Sequence, residues 1–67
     1  MTIGELGRHL MRACAGSKLP LDEQLKALGT AYVSYGLAHG IKPEDLKLFL
    51  DKVVEEIERA QRAAPMN

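Results

Sequence analysis

Two apolar ladders with the same spacing constrain this chain most strongly. In each ladder, apolar or ring-bearing side chains recur in alternating steps of four and three residues, which places them along one side of an α-helix. The first ladder consists of Leu21, Leu25, Leu28, Tyr32, Tyr35 and His39, and the second consists of Leu46, Leu50, Val53, Ile57, Ala60 and Ala64. Because only a short turn separates the ladders, they predict an antiparallel helical hairpin.

Start and stop signals predict helices over approximately residues 3–15, 20–39 and 43–64. Thr2 and Glu5 fit a capping box, in which both side chains satisfy free backbone N–H groups. The remaining signals are prolines suited to a first helical turn and glycines suited to a helix end, namely Pro20, Pro43, Gly16 and Gly40. The sequence therefore predicts one small all-α domain over residues 1–67, with a short first helix followed by the long hairpin.

The second predicted helix is apolar on nearly every side around residues 31–38, which is typical of a helix that is covered all round. The first helix, roughly 20 Å long, is too short to cover the free flank. Gly29 and Gly36 lie on one edge of this helix, and each glycine inside a helix costs about 1 kcal/mol. They indicate a close backbone approach by the first helix or by a second copy, unless they are tolerated imperfections.

We therefore predict that the chain forms a homodimer, assembled as a helical bundle. Its predicted interface comprises Gly29, Tyr32, Val33, Gly36 and Leu37. A chain of 67 residues buries only roughly 60% of its unfolded surface, so oligomerisation is an available source of further stability.

The net charge is zero but unevenly distributed, with +2 over residues 1–18 and −2 over residues 43–67. A neutral chain lacks the electrostatic attraction that dominates non-specific binding to nucleic acids. We instead predict that Arg8 and Arg12, on the basic face of the first helix, contact a larger protein partner.

The sequence contains few residues that could carry chemistry. His9, Cys14 and His39 are the good soft or imidazole metal ligands, and no Cys-x-x-Cys or His-x-x-x-His spacing joins them. Phosphate-binding glycine loops and the motifs of activated nucleophiles are also missing from the sequence. We predict a protein that is not an enzyme and has no catalytic, metal or cofactor site.

One specific alternative is DNA binding. The segment from Gly36 to Ile41, followed by a new helix, superficially resembles the turn of a helix-turn-helix motif. The supposed recognition helix would, however, carry Glu44, Asp45 and Asp51 towards the phosphates, which would repel them. Nucleic acid is therefore the less favoured partner, and a small helix-turn-helix-like transcriptional regulator is kept as the second hypothesis.

These observations predict a non-enzymatic protein-protein interaction module that acts as an adaptor, regulator or inhibitor through a helical surface. The lone cysteine and the lack of a signal peptide predict a cytoplasmic protein. No apolar run approaches the roughly 20 residues of a membrane span. Small size and simplicity are the sole features that suggest an origin in a phage or another mobile element.

Overall fold

The computed structural model describes residues 1–63 and contains three helices. Helix α1 spans Ile3–Gly16, α2 spans Leu21–Ala38 and α3 spans Pro43–Ala63, and residues 1–63 contain no strand. The predicted all-α, three-helix fold is confirmed. The last rung of the second ladder, Ala64, and the predicted end of the third helix lie outside the described residues.

Helix α1 begins at the predicted residue, but only the threonine half of the predicted capping box is present. The Thr2 side chain accepts a hydrogen bond from the backbone N–H of Glu5 at 3.1 Å. The Glu5 carboxylate accepts from the Thr2 hydroxyl, also at 3.1 Å, rather than from a backbone N–H as predicted. The threonine thus satisfies one backbone N–H that has no partner within the helix, as an N-cap residue should.

The end of α1 differs from the prediction that Gly16 stops the helix after residue 15. Gly16 is itself helical, and Ser17 is the C-cap. The Ser17 backbone N–H and hydroxyl both donate to the Cys14 carbonyl oxygen, at 3.2 and 2.6 Å. Because the serine satisfies this carbonyl, the left-handed backbone falls at Lys18, with φ of 63°, rather than at the glycine.

The turn between α2 and α3 has the hydrogen bonds of a Schellman motif. The Gly40 N–H donates to the Leu37 carbonyl, and the Ile41 N–H donates to the Gly36 carbonyl, each at 3.0 Å. Gly40 adopts the left-handed conformation that this motif requires, with φ of 81°. The prediction that Gly40 ends the second helix is therefore confirmed, and Pro43 follows at the first position of α3.

The chain divides into two compact units, and the division falls within α2. The first unit, Met1–Ala31, contains α1 and the first part of α2, and the second begins at Tyr32. In the first unit, residues of α1, the connecting loop and α2 line an open pocket of about 240 Å³, where Cys14 and Leu28 are half-buried. In the second unit, the buried residues among those described are Gly36 and Leu46.

Candidate interaction surface

The contact between Gly36 and Leu46 is the centre of the second unit. A Cβ atom at Gly36 would lie 3.2 Å from Cδ1 and 3.3 Å from Cγ of Leu46, and closer still to its Cδ2. Leu46 is only 5% exposed. The close approach predicted at Gly36 is therefore present, but it is made by α3 of the same chain rather than by α1 or a second copy.

Tyr32 supports this contact through its hydroxyl group. The hydroxyl donates to the backbone carbonyl oxygen of Leu46 at 2.5 Å, and the tyrosine is half-buried. A buried or half-buried tyrosine usually satisfies its hydroxyl in this way. Tyr32 thus joins α2 to the first turns of α3 within one chain, while its predicted role in an interface between chains stays a prediction.

An apolar groove of about 370 Å³ lies beside this contact. It is lined by Tyr32, Tyr35, Gly36, Ile41, Asp45, Leu46 and Phe49. Asp45 contributes the one charged side chain of this lining. Tyr35 remains 72% exposed, and Ile41 and Phe49 are exposed as well. The groove therefore offers aromatic and aliphatic surface to a ligand or a neighbouring molecule.

His39 lies beside Tyr35, one of the residues that line the groove. Its Nδ1 lies 2.9 Å from the Tyr35 carbonyl oxygen, a distance at which the protonated nitrogen donates a hydrogen bond. The His39 and Tyr35 rings are also in contact, with centroids 4.4 Å apart and planes inclined by 36°. The histidine therefore contacts both the backbone and the ring of Tyr35 at the end of α2.

The remaining residues of the predicted interface are accessible. Val33 and Leu37 are exposed in the second unit. Gly29 belongs to the first unit, where a Cβ atom added to it would meet nothing within 4 Å. Among the described residues Gly29 therefore has no close neighbour, and an approach by a second copy there stays a prediction.

Arg8 and Arg12, the predicted partner-binding residues, are exposed on α1 in the first unit. Both side chains are therefore available to a partner, and their role in binding stays a prediction.

The structure also shows where the possible metal ligands lie. Among residues 1–63, no three histidine, cysteine or acidic side chains lie close enough to hold a metal ion.

The sequence reasoning missed an exposed apolar surface on α3. We call it the α3 face, and it consists of Phe49, Leu50, Val53, Val54 and Ile57. Leu50 is 49% exposed and Ile57 is 55% exposed, although both belong to a ladder expected to form the hairpin seam. Phe49 and Val54, which lie outside the ladder, continue its surface at helical spacing and could have been found by that spacing.

No protein-family model, curated protein or solved structure matches the chain. The comparisons therefore assign no family and no activity, and the functional argument depends on the geometry of the chain. Within the described part of the chain, no helix has both the length and the apolar character needed to cross a lipid bilayer.

Proposed function

We propose that this chain is a non-enzymatic, cytoplasmic protein-protein interaction module that works as a homodimer. In this proposal it presents a helical surface to a larger protein and acts as an adaptor, regulator or inhibitor. The observation that carries the proposal is the amount of apolar surface that a single chain leaves exposed.

Large apolar side chains stay open to solvent in both units. In the first unit Leu21 is 69% exposed and Leu25 is 58% exposed, and in the second unit Tyr35 is 72% exposed and Phe49 is 60% exposed. Obligate homodimer interfaces are rich in apolar side chains. This exposure supports a second molecule as part of the folded state.

The chemistry of the exposed surface supports the same proposal. The groove and the α3 face place aromatic and branched aliphatic side chains together in the second unit, and large apolar patches typically mark interaction sites. In the first unit, Arg8 and Arg12 supply charge that can orient a partner and accelerate its association. Apolar burial would provide most of the affinity.

The proposal is tested by absolute mass in solution, measured by light scattering after size exclusion across a hundredfold range of concentration. We expect the mass of a dimer, with dissociation confined to the lowest concentrations. A monomer throughout the range would contradict the homodimer.

A gel-shift experiment separates this proposal from the helix-turn-helix alternative. An interaction module should leave the mobility of duplex DNA unchanged at low salt. A shift that weakens steeply as salt is added would instead favour a DNA-binding regulator, because phosphate contacts release counterions.

A further inference from the structure

Every phenylalanine and tyrosine of the chain lines the same groove. The sequence contains two tyrosines, one phenylalanine and no tryptophan, and Tyr32, Tyr35 and Phe49 all belong to the lining of the groove of about 370 Å³. Tyr32 and Tyr35 are one turn apart on α2, and Phe49 lies one turn beyond Asp45 on α3. The groove, which lies within the second unit, therefore brings rings from both helices to one site.

Contacts within one chain build this groove. Gly36 is buried against Leu46, and the Tyr32 hydroxyl donates to the Leu46 carbonyl, so both helices are joined at the groove lining. The volume of about 370 Å³ falls within the range of small-molecule sites, roughly 300–1,000 Å³. A site that is formed before its ligand arrives loses less free energy to ordering on binding.

Asp45 gives the groove its charge. It is the one charged residue of the lining, and it is exposed to solvent. Among residues 1–63 Asp45 forms no ion pair, since the one that is present joins Arg62 to Glu58. Its carboxylate is therefore available to a positively charged ligand.

The charges around the groove do not cancel this preference at the lining. Residues 32–38 of α2 include no charged side chain. On the side of α3 that lines the groove, the next charged residues are Lys52 and Glu56, and their charges are opposite. Lys42 precedes α3 and does not belong to the lining. Asp45 thus remains the charge nearest to a bound molecule, beside rings whose faces also attract cations.

The hydrogen bonds of the lining indicate which kind of cation fits. A primary ammonium group has three N–H donors, each of which needs an acceptor when water is removed. The backbone carbonyls of Tyr35 and Gly36 already accept hydrogen bonds at the end of α2, and the Tyr32 hydroxyl is bonded to Leu46. A quaternary ammonium group has no N–H donor, and its methyl groups suit an apolar lining.

We propose that this groove binds a small organic cation that carries a quaternary ammonium group. The rings of Tyr32, Tyr35 and Phe49 contact its methyl groups, and the Asp45 carboxylate balances its charge. The inference goes beyond the proposed interaction module, because it assigns a small-molecule site to the groove. Of the α3 face it uses Phe49 alone, so the other residues of that face stay available to a protein partner.

The test is a proton NMR titration of the full chain at low salt and at pH 8, where an ordinary histidine such as His39 is neutral. The ring signals of the two tyrosines and the phenylalanine report binding at the groove directly. The probes are choline, its neutral analogue in which carbon replaces the nitrogen, and ethanolamine, which carries a primary ammonium group. We expect choline to bind at least about fivefold more tightly than its neutral analogue, and more tightly than ethanolamine.

Two substitutions of one residue type show whether the carboxylate contributes. Asp45→Asn removes the charge at the lining, whereas Asp51→Asn makes the same change about 120° away around α3. We expect Asp45→Asn to weaken choline binding about threefold and Asp51→Asn to leave it unchanged. If circular dichroism shows that Asp45→Asn loses helicity, Phe49→Leu provides the second measurement. It keeps an apolar side chain without the ring, and it should reduce the preference for choline over the neutral analogue.

Three results would overturn the inference. Choline might leave the ring signals unmoved, or the neutral analogue might bind as tightly as choline, and either result would exclude a cation site. Tighter binding of ethanolamine would exclude the quaternary class. A short peptide with one trimethyllysine that binds much more tightly than choline would assign the groove to a protein side chain instead. The mass measured by light scattering decides the homodimer separately from all of these results.

Discussion

Gly36→Ala should destabilise the fold, although alanine is the better helix former. The added Cβ would lie 3.2 and 3.3 Å from Cδ1 and Cγ of Leu46, and closer still to Cδ2. These separations are tighter than ordinary van der Waals contact, so the leucine must move. Leu46 is 5% exposed, which restricts its movement. Overpacking of this kind typically costs about 1–3 kcal/mol.

Two further effects set the net magnitude. The higher helix propensity of alanine returns about 1 kcal/mol. Displacement of Leu46 would also weaken the hydrogen bond that its carbonyl accepts from Tyr32, which contributes about 1 kcal/mol. We therefore expect Gly36→Ala to lower the free energy of unfolding by about 1–3 kcal/mol.

Gly29→Ala is the matched control, because it makes the same change in the same helix. A Cβ at Gly29 would meet nothing within 4 Å, so only the gain in propensity applies. We expect this variant to be more stable by up to about 1 kcal/mol. The two variants should then differ by about 1–4 kcal/mol, with Gly29→Ala the more stable, which a pair of denaturation curves can resolve.

The assay is urea denaturation followed by helical circular dichroism. Protein concentration must be held fixed, since subunit association contributes to apparent stability. A change in midpoint with an unchanged slope would report stability alone. If Gly36→Ala proved as stable as Gly29→Ala, the contact with Leu46 would not limit packing, and the reasoning would be refuted.

Three other perturbations test separate parts of the structure. Lys18→Gly should raise stability by about 0.5–1 kcal/mol in urea denaturation, because lysine is strained at φ of 63° and glycine is not; lower stability would contradict this account of the turn. Tyr32→Phe should cost about 1 kcal/mol in the same assay, because it removes the hydrogen bond to Leu46, and an unchanged midpoint would show that this bond contributes nothing. Arg8→Glu combined with Arg12→Glu should preserve helicity and weaken capture of a protein partner, and loss of helicity would show that this face is structural.

Local sequence signals predicted the helices with small errors. The Thr2 cap, Pro43 at the first position of α3 and the left-handed Gly40 all occur where the sequence places them. Each depends on hydrogen bonds or dihedral preferences that reach only a few residues along the chain. The prediction placed the end of α1 one residue too early. Ser17, which follows the glycine, donates to the Cys14 carbonyl and caps the helix.

The sequence by itself determined that this chain forms three helices and where the turn between α2 and α3 lies. Both features depend on interactions between residues that are close along the chain. The tertiary structure alone decided which glycine is covered and which ladder residues are buried. Gly36 meets Leu46 while Gly29 meets nothing, and Leu46 is buried while Leu50 stays half exposed. Helical periodicity treats these pairs alike, since spacing states only which side of a helix a residue occupies. What that side contacts depends on where the neighbouring helix lies in space.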